Sequence, residues 1–223
     1  MQVNDFSVTF FDELDSTNNF AKDFLDKNEK KKHCNKVIVA ENQTEGRGAF
    51  ENKWTSEKEL NLTFSIIICP NISAKDQFYI SKITSLVLIK YFKNNAIEAK
   101  IKWPNDILIK NKKIAGILIE NSIIGNSLSN SIVGIGININ QIHFPPELNA
   151  ISLKTILKKV FSKTIELKNI LAIYSYYLNL CKNQKFGIIN ELYFQNLLGN
   201  NEYLTYKKDD CIFEAIIEDI DEF

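Results

Sequence analysis

One arginine occurs in this 223-residue chain, and it stands between two glycines as Gly46-Arg47-Gly48. A guanidinium presents a fixed fork of donors suited to a carboxylate or a phosphate. Flanking glycines let the backbone come close to a ligand. Taken alone, the tripeptide reads more readily as a surface turn. A second segment, Lys102-Trp103-Pro104-Asn105-Asp106, puts a compact positive charge at the end of a short strand, suited to an oxyanion. A third, Gly134-Ile135-Gly136-Ile137-Asn138, thins its side chains along a strand and then offers an amide. Six of the eight glycines and both tryptophans fall between residues 46 and 136. Scarce residue types therefore gather where chemistry is expected. No Ser/His/Asp or Cys/His arrangement accompanies them, and His33 and His143 stand outside these segments.

The elements that must position these groups follow from periodicity. Asp15-Ser16-Thr17-Asn18 precedes apolar residues at spacings of three and four, which predicts a capped helix. Strands are expected at 37–40, 62–69, 101–103, 107–109, 114–120 and 131–138, with a hairpin turn at Asn111-Lys112. Helical spacing covers 78–92, and after Pro145-Pro146 it returns at 151–161, 167–180 and 189–197. The tail, 203–220, reads as a hairpin around Lys208-Asp209-Asp210. This order predicts an α+β fold with a mixed sheet and helices on one side.

Composition removes several functional classes. Basic and acidic residues balance at 27 each, so no overall pull toward nucleic acid or an anionic membrane follows. The run Lys30-Lys31-Lys32 reads as a solvated loop. No apolar run is long enough to span a bilayer, and residues 1–10 lack the pattern of a secretory leader. Four scattered cysteines form no CxxC pair; a disulfide or zinc site gets little weight, and a cytoplasmic setting is expected.

In combination and in this order, the segments resemble a biotin–protein ligase. The resemblance rests on Ser16-Thr17-Asn18, on 40–48 with Trp54, on 61–65, on 102–106, on 113–120 and on 134–138. It implies a mixed-sheet catalytic domain flanked by helices, like class II aminoacyl-tRNA synthetases, with a small SH3-like β part behind it. It also implies site roles. Ser16, Thr17, Asn18 and Gln43 would meet the ureido head of biotin, with Gly46, Gly48 and Gly116 beside the ligand. Arg47 and Lys102 would hold the carboxylate and phosphate at the point of reaction. Trp54, Asn105, Lys113, Gly136 and Asn138 would bind the nucleotide. Biotin and ATP would be the substrates, with Mg²⁺, and no metal site on the protein is expected. The expected partner is the biotin carboxyl carrier protein of an acyl-CoA carboxylase; nucleic acid and membrane are not expected, and the chain would be a monomer or a homodimer. A lipoate–protein ligase and a non-catalytic biotin or nucleotide sensor are the alternatives.

The sequence departs from the family in three places. Ala49 and Glu51 stand where Arg or Gln and a Gly are common, which predicts weaker retention of the adenylate. The fifteen residues before Ser16 are too few for a winged-helix DNA-binding domain, and the 25 from Gly199 are short for a complete barrel. The expected division is a catalytic domain over 1–185 and a reduced C-terminal β segment over 186–223.

Overall fold

The computed structural model describes residues 1–27, 33–49 and 52–220. The expectations for Lys30-Lys31-Lys32 and Glu51 lie outside these. Runs of β-branched residues form most of an eight-stranded sheet ordered β1-β2-β3-β4-β8-β7-β6-β5. Its strands are β1 (Gln2–Val3), β2 (Phe6–Leu14), β3 (Lys36–Gln43), β4 (Leu62–Ile68), β5 (Lys100–Lys102), β6 (Asp106–Ile109), β7 (Lys112–Ile124) and β8 (Ser127–Ile137). Only β2 and β3 pair in parallel, and α1 (Thr17–Lys27) connects them; the other neighbours are antiparallel. The mixed sheet with flanking helices agrees with the α+β expectation.

Alternate residues of the central strands build two different faces. Val37 and Val39, Phe64, Ile66 and Ile68, and Val133, Ile135 and Ile137 all point to one side. There they pack under α2 (Phe78–Asn94), α4 (Lys163–Lys182) and α5 (Phe186–Asn196). Each fully buried aliphatic side chain contributes about 1.5–3 kcal/mol of transfer free energy. The intervening residues Ile38, Ile67 and Ile132 face the other way and pack against Ala21 of α1. Helices therefore cover both sides, which corrects the one-sided expectation: three apolar side chains at this end of the second face need a cover. Further along the same strands the second face becomes Thr63, Ser65, Gly134 and Gly136, and it stays open.

One irregularity on β7 controls what that open face carries. Asp106 pairs with Gly116 and Ile107 with Ala115, but Leu108 pairs with Lys113, so Ile114 is an extra residue. Ile114 and Ala115 both lie in the helix-side core, and the alternation changes phase between them. Lys113 thereby reaches the same face as Gly116, three residues away.

Other differences from expectation have local causes. The helix read over 151–161 is α3 (Leu153–Leu157), capped by Ser152, whose Oγ accepts from Thr155 N. It ends at Lys158 in the left-handed region (φ 57°). Phe161 exchanges two hydrogen bonds with the Asn140 side chain, which holds that stretch as a loop. A disulfide joins Cys34 to Cys69, which corrects the expectation of unpaired cysteines. The two residues lie one pleat beyond the Lys36↔Ile67 pair, so ladder register sets them opposite each other despite 35 residues of separation. The cytoplasmic expectation loses the support it drew from unpaired thiols. The tail forms the expected hairpin, β9 (Leu204–Lys208) and β10 (Cys211–Ala215), as a separate two-stranded sheet. Among the described residues no helix is long and apolar enough to cross a membrane.

Candidate active site

The open half of the second face is the floor of a cleft of about 320 Å³. That is the lower end of the range for small-molecule sites. Of the sequence-predicted residues it gathers Ser16, Thr17, Asn18, Gln43, Arg47, Gly48, Trp54, Asn105, Lys113, Gly116 and Gly136.

At one end the groups are polar and uncharged. The first turn of α1 abuts the sheet, and Thr17 N donates to the Gln43 side-chain oxygen at 2.7 Å, satisfying a helix-terminal donor. Ser65 Oγ donates to Asn18 Oδ1 at 2.6 Å and lies 2.7 Å from Thr17 Oγ1. The Asn18 amide rests on Gly134, where a Cβ would overlap Asn18 Oδ1. This residue must be glycine for α1 to come so close. Asn18 Nδ2 then donates to Glu120 Oε2 at 2.7 Å.

The loop after β3 folds back on itself to place Arg47. Gly48 N donates to Asn52 O, Trp54 N donates to Gly46 O, and Arg47 bridges to Lys53. Arg47 Nη1 donates to Asn19 Oδ1 at 2.9 Å and pairs with Glu120 Oε1 at 3.0 Å. Gly46 is kept bare by the Trp54 carbonyl packed against it.

At the other end, Gly116 and Gly136 face each other in register on β7 and β8. The Trp54 indole lies across both, and a side chain at Gly136 would occupy the ring. Its Nε1 is buried with no acceptor. Lys113 Nζ stands 5.9 Å from the Trp54 ring centroid and 2.6 Å from Asp106 Oδ1. Asn105 closes the edge of β7: its carbonyl accepts from Ile117 N, and its Nδ2 donates to Ile117 O at 3.1 Å.

Three predicted residues do not line the cleft. Lys102 sits exposed on β5 opposite Asp106, one strand further out than that carboxylate. Gly46 packs on Trp54. Asn138 is buried and donates Nδ2 to Lys113 O at 3.2 Å and its N–H to Ile114 O, so it braces the β7 irregularity. The cations that line the cleft are Arg47, Lys53 and Lys113.

Sequence reasoning gave no role to Glu120, Asp106, Thr63, Ser65, Lys53, Glu147 or Leu148. All but Glu120 and Ser65 line the cleft directly, and those two bond to residues that do. Gly116, Leu118 and Glu120 recur at period two, a signal that puts Glu120 on the cleft side of its strand.

Residues 10–138 match the profile of the Biotin/lipoate A/B protein ligase family, more than half of the chain. The chain belongs to this family. It is 30% identical over 148 residues to the bifunctional ligase/repressor BirA of Bacillus subtilis, covering 65% of this chain and 45% of that protein. It is 29% identical over 120 residues to BirA of Escherichia coli, covering 53% of this chain and 36% of that one. The chain thus spans less than half the length of these curated relatives. Among solved structures it superposes on a biotin protein ligase from Aquifex aeolicus in complex with biotin and ATP. That match has a TM-score of 0.76 and 25% identity, over 95% of this chain and 87% of the other. A Leishmania major ligase with biotinyl-5-AMP has the same fold, with a TM-score of 0.72 at 22% identity, covering 91% of this chain and 85% of that one.

Proposed function

We propose that this chain is a biotin–protein ligase that forms biotinyl-5′-AMP from biotin and ATP and passes the biotinyl group to a lysine. The acceptor would be a biotin carboxyl carrier protein of an acyl-CoA carboxylase. The observation that carries this reading is the polarity of the cleft. An uncharged hydrogen-bonding end (Thr17, Asn18, Gln43, Ser65) leads to two cations, Arg47 and Lys113, beside glycines roofed by Trp54. A ureido head has two N–H donors and one carbonyl to offer the first end; the dithiolane of lipoate has neither.

The chemistry follows from that polarity. A biotin carboxylate oxygen attacks the α-phosphorus of ATP, the bond to pyrophosphate breaks, and a mixed anhydride remains. Two anions must meet, and Arg47 and Lys113 offset their repulsion. One charge pair at ~4 Å is worth on the order of 4 kcal/mol at an effective dielectric near 20. In the second step the carrier amine attacks the anhydride carbonyl and AMP leaves; holding the two together supplies effective concentration. Enzyme side chains need supply no nucleophile. Trp54 offers a flat surface to a nucleobase, and Asn105 holds the neighbouring strand edge. Among the described residues no group of three or more His, Cys, Asp or Glu side chains could cage a metal. Asp106 and Glu120 are paired with Lys113 and Arg47. Mg²⁺ would act by neutralising the phosphates of ATP. Residues 1–185 would act as the catalytic unit, with the β9–β10 hairpin as a reduced form of the SH3-like part.

Transfer of radiolabelled biotin to a carrier domain tests the reading, with ATP–pyrophosphate exchange run on biotin and on lipoate. Biotin-dependent exchange and labelling that collapse in Lys113→Ala are expected. Exchange with lipoate alone would move the assignment to the other branch of the family. Folded protein that binds biotin but gives no exchange would make it a sensor.

A further inference from the structure

Among the described residues, Glu120 is the carboxylate that bonds to both ends of the cleft. Its Oε2 accepts from Asn18 at the uncharged end, and its Oε1 accepts from Arg47 at the charged end. Asn19 Oδ1 is the second acceptor on the same guanidinium nitrogen. Arg47 Nη1 carries two hydrogens, so these two acceptors engage it fully. Nε and Nη2 remain as an open edge, the pair of parallel donors that a carboxylate meets bidentately. Arg47 stands on a loop and its side chain is 42% exposed, so without this grip it would sample many rotamers.

We propose that Glu120 is a positioning residue: it holds Arg47 by one nitrogen so that the other edge faces the substrate carboxylate, and through Asn18 it registers that edge against the head-binding end. The inference deepens the ligase reading and rests on it for its kinetic consequences. Only a carboxylate serves here, because both neighbours donate. A carboxamide at this position would turn an N–H toward either Asn18 Nδ2 or Arg47 Nη1. The spacing between the two ends is thereby set by one side chain, which matches an acid whose polar head and carboxylate lie at opposite ends of the molecule.

Two readouts separate this role from a merely structural one. Arg47 is the only arginine, so an arginine-specific protease cuts the chain after it alone. In ligand-free protein, Glu120→Ala is expected to speed that cleavage about tenfold, and Glu120→Gln less. In exchange assays, Glu120→Ala is expected to raise the KM for biotin about tenfold, with kcat and the KM for ATP within about twofold. Placed on Arg47→Ala, the same substitution is expected to add clearly less, because only its bond to Asn18 remains to be lost. Unchanged cleavage, or an equal loss in both backgrounds, would overturn the proposal. So would tighter biotin binding by Glu120→Ala, which would make Glu120 a competitor of the substrate. Absence of exchange by the wild type would instead overturn the ligase reading, while the protease comparison still decides whether Glu120 holds Arg47.

Discussion

The two faces of the sheet are made by the same strands and differ at every second residue. On the helix side, Val39, Phe64, Ile66 and Val133 fill volume under three helices, and shape is satisfied by close packing. On the cleft side, Gly134 and Gly136 make room for Asn18 and the Trp54 ring, and Thr63 and Ser65 present hydroxyls where the other face presents hydrocarbon. The difference teaches where tolerance lies. One face responds to lost methyl groups with lost stability, and the other responds to added atoms or lost charge with lost function.

The largest expected effect strikes the filled face. Leu171→Ala, in the wholly buried centre of α4, should cost about 2–5 kcal/mol in denaturant unfolding. Whatever remains folded should keep the wild-type KM for biotin; a raised KM would mean the faces are coupled. On the open face, Lys113→Ala should lower exchange about 10²–10³-fold, a loss of about 3–4 kcal/mol, while the melting midpoint barely moves. Lys102→Ala should lose far less, and an equal loss would place Lys102 at the reacting centre beside Lys113.

Alkaline titration separates the faces without a mutation. Burial pushes the hydroxyls of Tyr91, Tyr174 and Tyr193 up, Tyr91 further through its bond to Glu166, and burial pushes the Cys181 thiol up to about 12. All four lie in α2, α4 and α5. A raised folded pKa favours the fold fully below the unfolded value, and the stability is lost as pH climbs above it. Unfolding free energy should therefore fall above about pH 9–10, by up to about 1.4 kcal/mol per pH unit per group. A flat profile to pH 11 would show that the helix layer is wetter than its packing indicates. The smallest effect concerns the loop over the cleft: Ala49→Arg should slow release of the acyl-adenylate several-fold, on the order of 1 kcal/mol. Equal release rates would remove the loop from intermediate retention.

Much of this was legible beforehand, and the failures share a cause. β3, β4 and β8 announce themselves as β-branched runs, and α2 by its helical period. β2 escapes because Asp12 and Glu13 dilute the alternation that Phe6, Val8 and Phe10 begin. The residues of the cleft were readable as a cluster of scarce types. Their pairings were not, since Arg47–Glu120 and Asn18–Ser65 join positions 73 and 47 residues apart. That Lys113 and Gly116 share a face was not legible, because strict alternation puts positions three apart on opposite sides. The Cys34–Cys69 pair was equally silent, as register rather than spacing brings it together.

The extra residue on β7 has a consequence for anyone wishing to transplant this cleft. Copying its side chains onto a regular antiparallel ladder would send the ammonium of position 113 into the hydrocarbon layer and leave the glycines without their charge. Deleting Ile114 from this chain would do the same from the other direction. The portable unit is the defect in the ladder together with Asn138, which fastens it; the recognisable residues are what that defect makes usable.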